Sequence, residues 1–151
     1  MNAIVVAMSN ETAPAKRHVH VACAIIERDG LVLSARRKAS SNLPLKWEFP
    51  GGKLEPGEEL EECLRRELIE EMEVEIAVGR PLTPATHSYP NLTVTLYPFV
   101  CSITAGEIVL HEHSAITWLP PATMHELDWA EADFPIIAEY QQTVLTQSAY
   151  W

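Results

Sequence analysis

One uninterrupted stretch constrains this chain more than any other: Gly51 to Val74, GGKLEPGEELEECLRRELIEEMEV. Pro56-Gly57 is a turn signal. From Glu58 onward no Gly or Pro occurs until Gly79, and the residues are good helix formers, so a helix is expected to start near Glu58. With Leu60 set at zero and about 100° per residue, Leu64, Leu68 and Met72 fall near ~40°, ~80° and ~120°, and Cys63 near ~300°. That is a buried stripe. On the same wheel Glu67 falls near ~340° and Glu71 near ~20°, inside the stripe, with Glu70 beside it near ~280°. Glu58, Glu62 and Glu73 lie on the far side.

Inward carboxylates need a physical reason. A buried, unpaired carboxylate costs several kcal/mol or neutralises itself. Glu67, Glu70 and Glu71 stand at i, i+3 and i+4, so they can converge on one point. Residues 58–73 hold eight Glu against two Arg, Arg65 and Arg66, so arginine alone does not balance them. A hard divalent cation does, and Mg²⁺ is usually shared between a few carboxylates and substrate phosphates. For the outward residues the simpler expectation is solvated i,i+4 pairs, Glu61–Arg65 and Glu62–Arg66.

The stretch resembles the Nudix box, G-x5-E-x7-R-E-U-x-E-E-x-G-U, with U aliphatic. Gly52, Glu58, Arg66-Glu67, Leu68, Glu70-Glu71 and Val74 stand at the required spacings. Glu73 replaces the box glycine. That glycine follows the helix, where a left-handed cap is common. A glutamate keeping the same backbone costs on the order of 1 kcal/mol; otherwise the helix ends differently. The preceding Trp47-Glu48-Phe49-Pro50-Gly51 is similar to the entry of the MutT-like branch, the nucleoside triphosphate pyrophosphohydrolases.

At 151 residues one domain is expected, with a tail or edge strand over 1–17, the catalytic domain over 18–147 and a tail over 148–151. The formal charge of −10 arises mostly in the acidic helix. No basic run suits a nucleic-acid polymer, whereas a free nucleotide carried with Mg²⁺ is compatible. Cys23, Cys63 and Cys101 are odd in number and widely spaced, which argues against disulfides or a zinc site and for buried thiols in a reducing compartment. No signal peptide or membrane span is apparent, and the cytoplasm follows by elimination. The sequence assigns no oligomeric state.

Along the chain, Ala3–Ala7 can add an edge strand. HVHVACAII from His18 reads as a central strand, Glu27–Gly30 as a hairpin turn and Leu31–Ala35 as the returning strand. Arg36, Arg37 and Lys38 then open a polar loop. Val74–Val78 is a strand broken by Gly79-Arg80-Pro81; Leu82–Ser88 and Leu92–Thr104 follow. Pro98 argues for an edge or bulge there. His111, Glu112 and His113 are neighbours on an extended segment and point to different sides, which disfavours one shared ion. Pro121 suits a first helical position. A last helix runs from Pro135 to about Thr146. Asp133 fits an N-cap.

The resemblance implies an α+β Nudix fold, a mixed sheet between helices. It implies Mg²⁺-dependent hydrolysis (Mn²⁺ substituting) of a nucleoside triphosphate to monophosphate and pyrophosphate, in sanitation of oxidised-guanine or modified pyrimidine triphosphates. Glu67, Glu70 and Glu71 would be catalytic metal ligands, with Glu112 a further ligand. Arg66 would orient a glutamate rather than touch substrate, and Arg37 would contact the nucleotide. Asp133 stands where oxidised-guanine members read the base with Asn; ionised, it would accept from a cytosine amine or a guanine N–H. From the residues themselves, Gly51 and Gly52 allow a close backbone approach to a ligand, Lys53 can meet a phosphate oxygen, and Phe49 either stacks on a base or packs in the core. The rival readings are a dinucleotide or nucleotide-sugar hydrolase and a non-catalytic nucleotide-binding module.

Overall fold

The computed structural model describes residues 16–149. The expected Ala3–Ala7 strand lies outside them, as do residues 150–151. The chain starts with β1, Arg17–Arg28, whose centre Ala22–Ile26 is fully buried. Asp29 (φ 53°) and Gly30 (φ 77°) then reverse the chain into β2, Leu31–Arg37. Two successive left-handed residues are what a two-residue hairpin requires, and Asp-Gly supplies them at low cost.

Two short strands follow, β3 Trp47–Glu48 and β4 Gly51–Lys53, and then α1, Leu60–Met72. Next come β5 Glu75–Pro81, β6 Ala85–Ser88, β7 Leu92–Ala105 and β8 His113–Leu119. Short 3-10 turns at Pro121–Glu126, with Pro at its start, and Glu131–Asp133 lead into α2, Phe134–Ala149.

β1 and β7 form the centre of a mixed sheet, pairing in parallel from Arg17↔Leu92 to Ile26↔Cys101. β7 pairs antiparallel on its other side with β5 and β6. The far side of β1 is divided: β4 takes Val21–Cys23, and β2 takes only Glu27 and Arg28. β2 turns away to pair with β3 and β8.

Strand alternation sorts the core into two faces. Ala22, Ala24 and Ile26 meet Cys63, Leu64, Leu68 and Met72 of α1. Cys23 and Ile25 share the opposite face with Ile136, Ile137 and Tyr140 of α2 and with Phe49 and Trp129. This is the expected mixed sheet between helices. Leu64, Leu68 and Met72 are fully buried, each contributing ~1.5–3 kcal/mol of apolar burial.

Several local expectations need correction. Arg36 and Arg37 end β2 instead of opening the loop, because β8 and β3 flank them. β5 runs on to Pro81 through a register shift after Val78; Gly79 permits it, since a Cβ there would strike the Val100 carbonyl. β6 starts at Ala85, not Leu82. Pro98 lies in a central strand, not at an edge, and it is the bulge alternative that is met, since the β5–β7 register shifts between Val78 and Pro81 beside it. Its carbonyl accepts from Leu82 N at 2.9 Å, so its missing N–H faces the break where β6 gives way to β5. α2 extends three residues past Thr146.

α1 begins at Leu60 rather than Glu58. Its far end keeps the left-handed cap despite the missing glycine. Glu73 has φ 56° and ψ 34°, and its N–H donates to Ile69 O at 3.0 Å. Its side chain meets His111 Nε2 at 2.6 Å.

Candidate active site

The acidic helix delivers its carboxylates at graded depths. Glu70 is 59% exposed and Glu67 15%. Glu71 reaches furthest in, and its Oε2 is buried with no hydrogen-bond partner. Burial, then the charges of Glu67, Glu48 and Glu112, push the Glu71 carboxyl up to about 8. Burial also raises Glu67, against the pull of Arg66.

Gly52 sits under Glu67, where any Cβ would overlap its carboxyl group. The glycine therefore makes room for the glutamate. Gly51 lies equally tight on the Ala22 carbonyl, inside the β4–β1 pairing.

Arg66 organises the first of two arginine clusters. Its Nε and Nη2 donate to the two Glu58 oxygens at 2.7 and 2.9 Å, and its Nη1 to Glu67 at 2.8 Å and Glu70 at 3.3 Å. Nη2 also donates to the Lys53 carbonyl at 3.3 Å. The Arg66 hydrogen bonds hold the Glu58 carboxyl down at about 2. Two expectations fail here. Glu58 folds back onto Arg66 instead of facing away, because it precedes the helix and is free of its periodicity. Arg66 therefore pairs with Glu58 and Glu67 rather than with Glu62. Its expected ion pair with a box glutamate is present.

The second cluster spans three strands. Arg37 on β2 is flanked by Glu48 on β3 and His113 on β8. Glu48 Oε1 accepts from Arg37 Nη1 at 2.8 Å, and its Oε2 meets His113 Nε2 at 2.9 Å. Arg37 Nη2 donates to Asn42 Oδ1 at 2.6 Å. Burial pushes the Glu48 carboxyl up, but its hydrogen bonds from His113 and Arg37 outweigh that and leave it below the usual range.

A cleft of about 660 Å³ opens beside these clusters. Its lining includes Gly51, Gly52, Lys53, Glu71 and Arg37 together with Val21, Val94, Leu96, Phe49, Tyr89 and Asp133. Phe49 is 3% exposed and packs on Trp129 with ring centroids 4.8 Å apart, so it forms a core wall of the cleft. Lys53 is exposed at the rim. Asp133 is 4% exposed; its Oδ1 accepts a long 3.5 Å bond from Phe49 N. That bond comes from a neighbouring segment, not from the first turn of α2, contrary to the N-cap expectation. Burial, then Glu48, pushes its carboxyl well above the usual range.

The residues 111–113 diverge as expected. His111 meets Glu73, His113 turns inward to Glu48, and Glu112 lines a small cavity with Glu71. Val109 N and His111 N donate to the Met72 and Glu71 carbonyls at 3.0 and 3.1 Å. The open C-terminal end of α1 thus anchors the loop that carries Glu112.

A family model described as the NUDIX domain matches residues 16–140. The chain belongs to the Nudix family. A CTP pyrophosphohydrolase of Escherichia coli is 35% identical over 81% of this chain and 90% of its own length. A protein of Mycobacterium tuberculosis H37Rv described as a putative 8-oxo-dGTP diphosphatase 2 is 34% identical over 82% of this chain and 89% of its own. A solution structure of a MutT protein, a Nudix hydrolase from methicillin-resistant Staphylococcus aureus 252, superposes with TM-score 0.70 at 36% identity. It covers 85% of this chain and 99% of that one.

This Nudix hydrolase belongs to a family that works with a divalent cation, and its donors suit one. The orphaned Glu71 oxygen is a hard ligand held away from water, and the charges of Glu67, Glu48 and Glu112 act on it from nearby. Among the described residues no three such side chains stand in a ready-made ligating group, since Glu67 is drawn toward Arg66. No described helix is long and apolar enough to cross a membrane. All three cysteines are free and buried.

Glu48, His113, Asn42 and Tyr89 are site residues that the sequence pattern does not single out. Glu48 carries a weak signal, as an acid between two aromatics at the entry to the box. His113 carries none, because its partner lies 65 residues away.

Proposed function

We propose that the chain hydrolyses a nucleoside triphosphate with Mg²⁺ to a nucleoside monophosphate and pyrophosphate, removing cytosine or oxidised-guanine nucleotides from the free pool. The observation that carries this is Glu71: a carboxylate with one buried, unpartnered oxygen, set in a cleft that apolar side chains and the buried acid Asp133 also line. The resemblance in sequence to a CTP pyrophosphohydrolase and a putative 8-oxo-dGTP diphosphatase supports it. The protein is read as cytoplasmic, consistent with the buried free thiols. The net charge of −10 argues against a nucleic-acid polymer as partner.

In this reading Glu67, Glu70, Glu71 and Glu112 hold the cations. When bound, these supply charge neutralisation at the phosphates and lower the pKa of water. Arg66 restrains Glu67 and Glu70, and Gly52 leaves Glu67 its space. One of the carboxylates takes the proton of the attacking water. The bond between the α- and β-phosphates breaks, the water oxygen completes one product, and one proton is released. Lys53 and Arg37 face the phosphates, and Phe49 walls the base.

Asp133 suggests why two such different bases can share one cleft. Burial favours its protonated form, and a protonated carboxyl offers one donor and one acceptor side by side. Cytosine presents N3 as acceptor beside its amine donor. Oxidised guanine presents O6 beside an N7–H. Ordinary guanine shows two acceptors on that edge, N7 and O6, and offers a donor beside O6 only from N1–H on its other edge. The test is a steady-state screen of canonical and oxidised triphosphates with Mg²⁺ and Mn²⁺, scoring released pyrophosphate. Turnover of CTP and 8-oxo-dGTP well above dGTP is expected. Release of two monophosphates from dinucleotides, with no triphosphate turnover, would replace this reading.

A further inference from the structure

Two turns, distant in the chain, share the wall of the cleft. Tyr89, Pro90 and Asn91, between β6 and β7, line it, and so do Ala130, Ala132 and Asp133, just before α2. The first turn is stiff by its own sequence. Pro90 has a single allowed φ, and Tyr89 N donates to Leu92 O across the turn at 2.8 Å. The second turn is fixed at its start, where Ala130 N donates to Trp47 O at 2.9 Å, and is closed by a 3.0 Å bond from Asp133 N to Ala130 O.

Tyr89 joins the two. Its hydroxyl accepts from Ala132 N at 3.0 Å, across 43 residues of chain. Its ring packs against the core that Phe49, Trp129 and α2 share. A second contact joins the turns at the surface. His87 Nε2 stands 3.0 Å from Glu131 Oε2, and the His87 ring lies edge-on to the Tyr89 ring at 4.4 Å. Glu131 is 70% exposed, so that pair holds the turns weakly. The partly buried Tyr89 bond is the stronger tie, because an N–H left unpaired away from water is costly.

The Asp133 carboxyl has little to aim it directly. The hydrogen bond made to it among the described residues is the 3.5 Å one from Phe49 N, at the outer limit of such bonds. Its direction is therefore set by the backbone that carries it. A group that reads a ligand has to be held within about 0.5 Å of its productive place. We propose that Tyr89 is a specificity-determining positioning residue, whose hydroxyl holds the peptide in front of Asp133 and so aims that carboxyl at the base. The inference rests on the base-reading role given to Asp133 above. Tyr89 acts through Asp133, and the hydroxyl alone, not the ring, carries the effect.

The experiment compares wild type with Tyr89→Phe, Glu131→Gln, Asp133→Ala and the double variant Tyr89→Phe/Asp133→Ala. Phenylalanine keeps the ring on the core, and thermal unfolding checks that every variant is folded. Turnover of CTP, 8-oxo-dGTP and dGTP is measured with Mg²⁺, and binding of CMP and dGMP by calorimetry. In Tyr89→Phe, KM for CTP and 8-oxo-dGTP and Kd for CMP should rise about tenfold, the scale of leaving one such N–H without its acceptor. The kcat values and the dGTP and dGMP constants should stay within about twofold. All constants of Glu131→Gln should stay within about twofold. With Asp133 already replaced by Ala, removing the Tyr89 hydroxyl should change nothing further, which a wall that merely supports the fold would not produce. Unchanged selectivity in Tyr89→Phe, an equal loss for CTP and dGTP, or the same tenfold step in the absence of Asp133 overturns the proposal and leaves the triphosphate reading standing. A wild type that turns over no triphosphate, while CMP binding still couples Tyr89 to Asp133, overturns the parent reading alone.

Discussion

The two arginine clusters solve one problem in opposite ways. Arg66 gathers Glu58, Glu67 and Glu70 from within a single loop and helix. Arg37 meets a carboxylate from a neighbouring strand, which a histidine from a third strand grips from the other side. The first cluster forms as soon as one helix forms. The second exists only when β2, β3 and β8 have found their registers. The Arg66 cluster therefore belongs to the chemistry of its own segment, and the Arg37 cluster reports the completed fold. Their partners differ accordingly: Arg66 restrains Glu67 and Glu70, the carboxylates proposed to hold the cation, whereas Arg37 borders both cavities.

The sharpest break between the two regions is at Glu71. Replacing Glu71 by Gln should lower kcat by at least about 10³-fold, the scale of losing a central electrostatic group. The melting temperature should not fall, because a desolvated carboxyl is removed from the interior. Steady-state kinetics beside thermal unfolding test this, and a Glu71→Gln enzyme with near-normal turnover would remove the helix from the chemistry.

The next comparison sets Arg66→Ala against Arg37→Ala. If the first restrains catalytic carboxylates, kcat should drop about 10²-fold, with a modest rise in KM. If the second meets the nucleotide, KM should rise about tenfold, with the smaller change in kcat. Identical kcat and KM patterns in the two variants would erase the distinction.

A smaller effect is expected from Asp133. Its folded carboxyl titrates well above the unfolded value near ~4. Its contribution to stability is therefore complete below pH ~4 and is lost as pH rises toward the folded value. Asp133→Asn should flatten the decline in stability between about pH 5 and 8, as read by urea unfolding at a series of pH values. A variant whose stability falls with pH as steeply as wild type would show that Asp133 is not the group responsible.

The smallest effect belongs to Glu73→Gly. Relief of the left-handed glutamate should gain about 1 kcal/mol, reduced by loss of its exposed pair with His111, worth ~0–1 kcal/mol. A slight rise in the unfolding midpoint is expected. A clear fall would mean that the pair with His111 outweighs the strain of the left-handed backbone.

The same contrast explains which features are legible in the sequence. The burial of Leu64, Leu68 and Met72, and the inward turn of Glu67 and Glu71, follow from a wheel, because a helix fixes side-chain directions locally. The left-handed Glu73 is one of the two outcomes that the box leaves open. Glu58 is misplaced when the wheel is extended past the helix start, where periodicity no longer governs. The partner of Arg66 is hidden for the same reason. That Glu48 pairs with His113 is invisible, because the pairing depends on strand order, which carries no local period. Pro98 signals an edge or a bulge, and only the sheet shows that it is the bulge, where β6 gives way to β5.

The parallel pairing at the sheet centre has a consequence for how the chain is made. His18 and Thr95, bonded across β1 and β7 at 2.7 Å, are 77 residues apart. At about 5–20 residues per second of synthesis, the apolar β1 waits ~4–15 s before its partner exists. During that interval the β7-facing edge of Ala22–Ile26 is unpaired and aggregation-prone, with only β4 and α1 made early enough to cover part of the strand. Growth temperature and translation rate should therefore govern the yield of soluble protein more than the equilibrium stability of the finished molecule does.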